Sequence, residues 1–190
     1  MSQLSIQSLI SKALKNHNNK NYSDAEKLYK NILSISPNNV NCINYLGTLF
    51  AQTNRIQLAH EEFLKALKID PNNHFVNNNL GNILFEQGKY EKAIAHYLKA
   101  VKIQPDFVDA NLNLGIISRN QGDTQKSLNY LKKVIQIQPK NIKALTIIAA
   151  IFREERKFKE SFNCYKKIFE IEPENNFAIS GIIDLFDNLR

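Results

Sequence analysis

The chain is sparing with the residues that punctuate a fold. Its 190 residues include five prolines, six glycines and two cysteines. No apolar run approaches about 18 residues, so no membrane span is expected. Met1 to Ser5 lacks a basic stretch followed by an apolar one. No secretory leader is read there, and a cytoplasmic location is expected. The chain has no Cys-x-x-Cys, no Gly-x-Gly-x-x-Gly and no phosphate loop. Its four histidines, His17, His60, His74 and His96, share no metal-ligand spacing. Carboxylates are numerous but scattered, and no pair stands out as acid and base. No catalytic residue, metal site or cofactor is assigned, and the chain is read as a non-enzyme.

The scarce prolines are not scattered. Pro37, Pro71, Pro105, Pro139 and Pro173 stand 34 residues apart. A fixed period of this size marks a repeat architecture. Other residues keep the beat. Gly47, Gly81 and Gly115 do, as do Gly88 and Gly122. Ala25, Ala59 and Ala93 continue as Ser127 and Ser161. Tyr29, Phe63, Tyr97, Leu131 and Tyr165 each stand eight residues before a proline. Five repeats follow, 6–39, 40–73, 74–107, 108–141 and 142–175, within one domain over 1–190.

Each repeat reads as two helices. In the third, Tyr90, Ala93, Ile94, Tyr97, Ala100 and Val101 make one stripe of a helix of about 3.6 residues per turn. Leu80, Gly81 and Leu84 do the same in the first half. Gly88 interrupts the pattern and suits a turn with positive φ. Pro105 cannot continue a helix, and it biases Gln104 away from helical dihedrals. The recurring Gly, Ala and Ser let the two helices of a hairpin approach closely. The expected fold class is all-α, a right-handed α-solenoid of five helical hairpins plus a C-terminal helix over 176–190.

With Asn79-Leu80-Gly81-Asn82, Gly88-Lys89-Tyr90, Ala93, Tyr97, Ala100 and Pro105, the third repeat resembles the tetratricopeptide repeat. The resemblance covers 6–175. The first repeat departs most, with Lys12 and Ala13 where others carry Leu or Ile and Gly, as a capping repeat can. The resemblance implies a scaffold that binds an extended peptide or partner segment in the concave face of its first helices. An alternative is the substrate-recruiting region of a larger glycosyltransferase-like transferase.

In such a fold Cys42 and Cys164 stand four repeats apart, and a disulfide between them is not expected. The net charge of +7 comes largely from lysine, 20 of the 25 basic residues. Lys65, Lys99, Lys133 and Lys167 recur at one place of the second helix, read as a solvated outer row. Aromatics interleaved with Arg are missing, so no nucleic-acid partner is assigned.

Within a repeat, the fourth, seventh, eighth and eleventh places form the core stripe. The second, fifth, sixth, ninth, twelfth and thirteenth face the groove. The candidate peptide-binding residues are Asn44, Tyr45, Asn78, Asn79, Asn82, Phe85, Leu112, Asn113, Ile116, Arg119, Asn120 and Arg153. Asn79 and Asn113 share the sixth place and resemble the asparagine ladder of the O-linked N-acetylglucosamine transferases. An amide both donates and accepts, so it can pair with a peptide backbone whatever the side chains. Arg119 and Arg153 share the twelfth place. They suit either a ligand carboxylate or an intramolecular bridge to Glu154 or Glu155. Ile10, Leu14, Asn44 and Thr48 do not supply the carboxylate clamp of chaperone-tail binders.

The last helix, 176–190, carries Ile179, Ile182, Ile183, Leu185 and Phe186 with only Asp184, Asp187 and Arg190 charged. Gly181 is read as weakening it. Such an apolar end suits a neighbour: a second copy in a homodimer, another protein or a docked domain.

The hairpin packing is testable. Ala93→Leu should overpack the helix contact and cost about 1–3 kcal/mol. A denaturant midpoint equal to that of the unsubstituted chain would count against the pairing.

Overall fold

The structure is a computed structural model that describes residues 3–187. Residues 188–190, the end of the expected last helix, lie outside the described residues, as do the side chains of Asp187 and Arg190. Every described element is an α-helix, so the fold is all-α. The chain divides into two compact units at Gln104–Pro105. The first unit holds α1 (Gln3–Asn18), α2 (Tyr22–Ile35), α3 (Val40–Gln52), α4 (Ile56–Ile69), α5 (His74–Glu86) and α6 (Tyr90–Ile103). The second holds α7 (Val108–Asn120), α8 (Thr124–Ile137), α9 (Ile142–Glu154), α10 (Phe158–Ile171) and α11 (Asn176–Asp187).

Successive helices pair as the period predicts, α1 with α2, α3 with α4, α5 with α6, α7 with α8 and α9 with α10. The small residues make the pairing close. A methyl group added to Gly81 would stand 2.6 Å from the Tyr97 ring, and one on Gly47 would stand 2.7 Å from Phe63. Ala25, Ala59, Ala93, Ser127 and Ser161 are fully buried on the second helices. The serines also bond across the hairpin. Ser127 Oγ donates to the Gly115 carbonyl at 2.7 Å, and Ser161 Oγ to the Ala149 carbonyl at 2.9 Å. A buried hydroxyl without such an acceptor is costly, so these serines read as satisfied replacements for alanine.

Much of the asparagine belongs to the helix starts. Asn39, Asn73, Asn141 and Asn175 each accept a backbone N–H three residues on, at 3.0, 3.1, 3.0 and 3.2 Å. These are side-chain caps for the free N–H groups of α3, α5, α9 and α11. Asn77 and Asn111 are buried at the fourth place. Their Nδ2 groups donate to the carbonyls of Asn73 and Phe107, both at 2.8 Å, and reach those of Pro71 and Pro105 at 3.3 and 3.0 Å. They tie each proline turn to the helix that follows it. Nothing in the sequence reading distinguished these asparagines from the rest.

The turn within each hairpin uses one left-handed residue at one place. Its φ is 62° at Lys20, 58° at Asn54, 72° at Gly88, 80° at Gly122 and 57° at Arg156. Only two of these five are glycine. The hairpin geometry therefore imposes the conformation, and lysine and arginine bear its steric cost.

Gly181 has a packing role instead of a merely weakening one. It is buried where α11 crosses the ring of Tyr165, with no room for a Cβ.

Opposite signs are expected at one turn place. Gly88→Ala should destabilise by about 1–2 kcal/mol, because alanine resists φ of this sign. Arg156→Gly should stabilise by about 0.5 kcal/mol, the relief of strain less the entropy of glycine. Denaturant midpoints of the two variants against the unsubstituted chain measure both.

Candidate functional site

In the first unit the candidate residues lie on α3 and α5. Asn79 Nδ2 donates to Asn44 Oδ1 at 2.9 Å and lies 3.4 Å from Thr48 Oγ1. Thr48 Oγ1 is itself anchored, donating to the Asn44 carbonyl at 2.9 Å. The Asn44–Asn79 pair uses an acceptor of one amide and the donor end of the other. Each amide retains its complementary end, Oδ1 of Asn79 to accept and Nδ2 of Asn44 to donate.

Beside this pair lies a cleft of about 260 Å³ between α3 and α5. Thr48, Gln52, Asn79, Asn82 and Glu86 form its polar lining, and Ala51, Phe63 and Ile83 add apolar surface. A partly apolar floor under convergent polar groups is the usual make-up of a binding cleft. Asn82 is held from below, since Tyr97 Oη donates to its Oδ1 at 2.8 Å. Gln52 is held in the same way: its Oε1 lies 2.8 Å from Nε2 of the buried His17, whose Nδ1 lies 3.1 Å from Tyr29 Oη.

The other candidates of this unit stand apart from the cleft. Tyr45 is half-buried with its ring 6.0 Å from that of Tyr29. Phe85 is half-buried and meets the edge of Tyr90 at 5.3 Å. Asn78 is only 4% exposed. The sequence reading placed Thr48, Gln52 and Glu86 on the groove face but did not mark Phe63 or Ile83 as cleft floor. It also missed His17, whose Nε2 partner is a glutamine in the next repeat.

In the second unit Asn113 and Ile116 are half-buried, Asn120 is exposed, and Leu112 is buried at 9% exposure. The arginines meet acids of their own chain. Arg119 Nη2 lies 2.6 Å from Glu154 Oε1, and Arg153 Nη1 lies 3.4 Å from Asp184 Oδ2. Of the two roles open to these arginines in the sequence, the structure displays the intramolecular one. Both pairs are largely solvated, so each contributes little to stability, on the order of 0–1 kcal/mol.

The cysteines are not poised for chemistry. Both are buried free thiols. Burial, with help from the Glu62 carboxylate, pushes the Cys42 thiol up to about 12. Burial also raises that of Cys164. A thiol held protonated is a poor nucleophile and a poor metal ligand. Among the described residues no group of His, Cys, Asp and Glu could hold a metal ion. No described helix is long and apolar enough to cross a membrane.

Comparison with known proteins agrees with this architecture. Sequence models described as tetratricopeptide repeat or TPR repeat match residues 44–73, 62–95, 81–122 and 108–141. Together these matches run without a break over about half of the chain. A search of curated proteins by sequence finds no match. Solved structures give the fold. PilF of Pseudomonas aeruginosa aligns over 97% of this chain and 84% of its own, with 24% identity and a TM-score of 0.88. PilW, described as a widely conserved type IV pilus biogenesis factor, aligns over 100% and 93%, with 21% identity and a TM-score of 0.79. YrrB, described as a TPR protein with an unusual peptide-binding site, aligns over 90% and 89%, with 17% identity and a TM-score of 0.67.

The tyrosines under the first helices give a stability test. Tyr97→Phe removes the donor to Asn82 and should cost about 1 kcal/mol. Tyr165 differs: it is buried, and among the described residues its hydroxyl meets no hydrogen-bond partner. Tyr165→Phe should therefore leave the unfolding midpoint unchanged or raise it. A loss at Tyr165 equal to that at Tyr97 would contradict the assignment.

Proposed function

Because the chain belongs to the tetratricopeptide-repeat family, whose fold generally serves as a protein-interaction scaffold, we propose that it binds an extended peptide segment of a partner protein. The proposed seat is the cleft of the first unit between α3 and α5. The observation that carries the reading is the Asn44–Asn79 bond at 2.9 Å. It orders two amides side by side and offers one acceptor and one donor. An extended backbone presents a C=O and an N–H with the same complementarity, independent of its side chains. Residue preference would then come from the cleft, where Phe63 and Ile83 suit an apolar side chain and Glu86 a basic one.

The support is chemical. Asn82 and Gln52 are oriented by Tyr97 and His17, so the cleft is preorganised before a ligand arrives. Preorganisation lowers the ordering cost of binding. Binding of a peptide by YrrB is a property of that protein and supports the reading only through the shared fold.

A library of displayed peptides selected on the full chain tests the proposal. Selected peptides should bind the Asn79→Ala variant about 3–10-fold more weakly, the range of one or two neutral hydrogen bonds. They should bind an Asn120→Ala variant, altered in the other unit, as tightly as the unsubstituted chain. Equal affinity for both variants would place peptide binding outside this cleft.

A further inference from the structure

Each complete repeat buries one stripe of its first helix under its second. On α9 the stripe is Leu145, Ile148, Ala149 and Phe152, of which the first three are buried and the last half-buried. They share a core with Tyr165 and Ile168 of α10. The same places recur 34 residues later on α11 as Ile179, Ile182, Ile183 and Phe186, all apolar. Here the outer half of the stripe is open. Ile183 is 54% exposed and Phe186 59%. A different face of α11 holds it to the unit: Ala178, Gly181 and Leu185 are buried, and α11 packs on α10. Among the described residues no helix lies over the stripe.

The surface beside the stripe is open in the same way. An apolar groove of about 320 Å³ runs between α10 and α11. Phe158, Phe162, Leu185 and Phe186 wall it, with Lys159 completing the lining. The rings of Phe162 and Phe186 meet edge to face at 6.1 Å. Leu128, 34 residues before Phe162, is buried in the core of the unit. Stripe and groove thus continue an interface that is closed one repeat earlier.

We propose that α11 is a docking face for an amphipathic α-helix of a partner protein, laid on it as α10 lies on α9. One departure from the repeat defines the partner. The eighth place holds Gly47, Gly81, Gly115 or Ala149, and the first three of these receive a large side chain of the second helix. On α11 that place holds Ile183. The knob is now on the first helix, so the partner helix must carry Gly, Ala or Ser opposite it. A second copy of α11 presents Ile183 and Phe186 on its own open stripe and offers no such hole. This separates the surface from the amide cleft of α3 and α5, which reads an extended backbone.

A crossed-preference experiment tests the assignment. The probes are two labelled synthetic peptides covering 157–172, the α10 segment, one unsubstituted and one carrying Tyr165→Ala. Each is titrated by fluorescence anisotropy into the full chain and into its Ile183→Ala variant. The full chain should prefer the Tyr165→Ala peptide by about tenfold, the penalty of placing a ring against isoleucine. Ile183→Ala should reverse that preference. A chain carrying Ile183→Lys and Phe186→Lys should bind neither peptide. Both residues are exposed, so unchanged thermal unfolding of that variant should show an intact fold. No binding of either peptide, or binding indifferent to Ile183, overturns the proposal. So does a dimer in light scattering that the two lysines dissociate, because the face would then belong to a second copy.

Discussion

The close approach of two helices at a small residue is the constraint on which the rest of the structure depends. Gly81 against Tyr97 and Gly47 against Phe63 leave no room for a Cβ. Such contacts set the depth of each hairpin, and depth fixes which first-helix places face inward. Once the fourth, seventh, eighth and eleventh places are buried, the sixth, ninth and thirteenth lie on the more open side of the same helix, while the fifth is buried at Asn78 and Leu112. The candidate cleft is therefore a consequence of hairpin packing. No loop had to be shaped for it, which fits a surface that holds a ligand by its backbone. Interiors are close-packed, so a methyl group at Gly81 would be felt at Asn82, the next residue along the cleft wall.

The ring that fills the contact can also carry a buried hydroxyl. Three repeats carry tyrosine at this place, and the three hydroxyls meet different fates. Tyr29 Oη lies 3.1 Å from His17 Nδ1. Tyr97 Oη donates to Asn82 at 2.8 Å. Tyr165 Oη has no hydrogen-bond partner among the described residues. The last two fates follow from the ninth place, asparagine in the third repeat and Ala150 in the fifth, whereas the partner of Tyr29 stands at the twelfth. In the first unit, then, a core residue orients a cleft residue, and packing and recognition share one bond. In the second unit the same ring serves packing alone, against Gly181.

Much of the fold was legible because a period is a global signal. The prolines placed the turns, and the small residues placed the helix contacts. What stayed hidden was local or spanned two repeats. Lys20 and Arg156 adopt left-handed φ where sequence rules favour glycine, because the hairpin around them imposes it. The asparagine excess looked like compositional bias. Position by position it resolves into caps at Asn39, Asn73, Asn141 and Asn175, turn ties at Asn77 and Asn111, and the facing pair Asn44–Asn79. A single letter count cannot separate these roles, since each depends on which backbone group stands nearby. The arginines were ambiguous for the same reason. Their partners, Glu154 and Asp184, lie in the following repeat or in α11.

Those cross-repeat contacts nevertheless obey a rule that the period contains. Within the first unit His17 meets Gln52 and Asn44 meets Asn79, and within the second Arg119 meets Glu154, each pair 35 residues apart. Asn79 to Thr48 and Arg153 to Asp184 are 31 apart. These separations are the 34-residue period plus one and minus three. They differ by four, one helical turn, so the partners lie along one ridge of the neighbouring first helix, and Asn79 meets two of its members, Asn44 and Thr48. The ridge explains why groove-face side chains satisfy each other before any ligand comes. A peptide entering such a surface must exchange partners with a preformed ladder or use the ends that the ladder leaves over. An ion pair such as Arg119–Glu154 leaves the guanidinium only further N–H donors and no acceptor to offer a backbone. An amide pair such as Asn44–Asn79 keeps one donor and one acceptor in reserve. The chemistry of the ladder thus makes the asparagine pair a better match than the arginine pairs for the proposed peptide backbone.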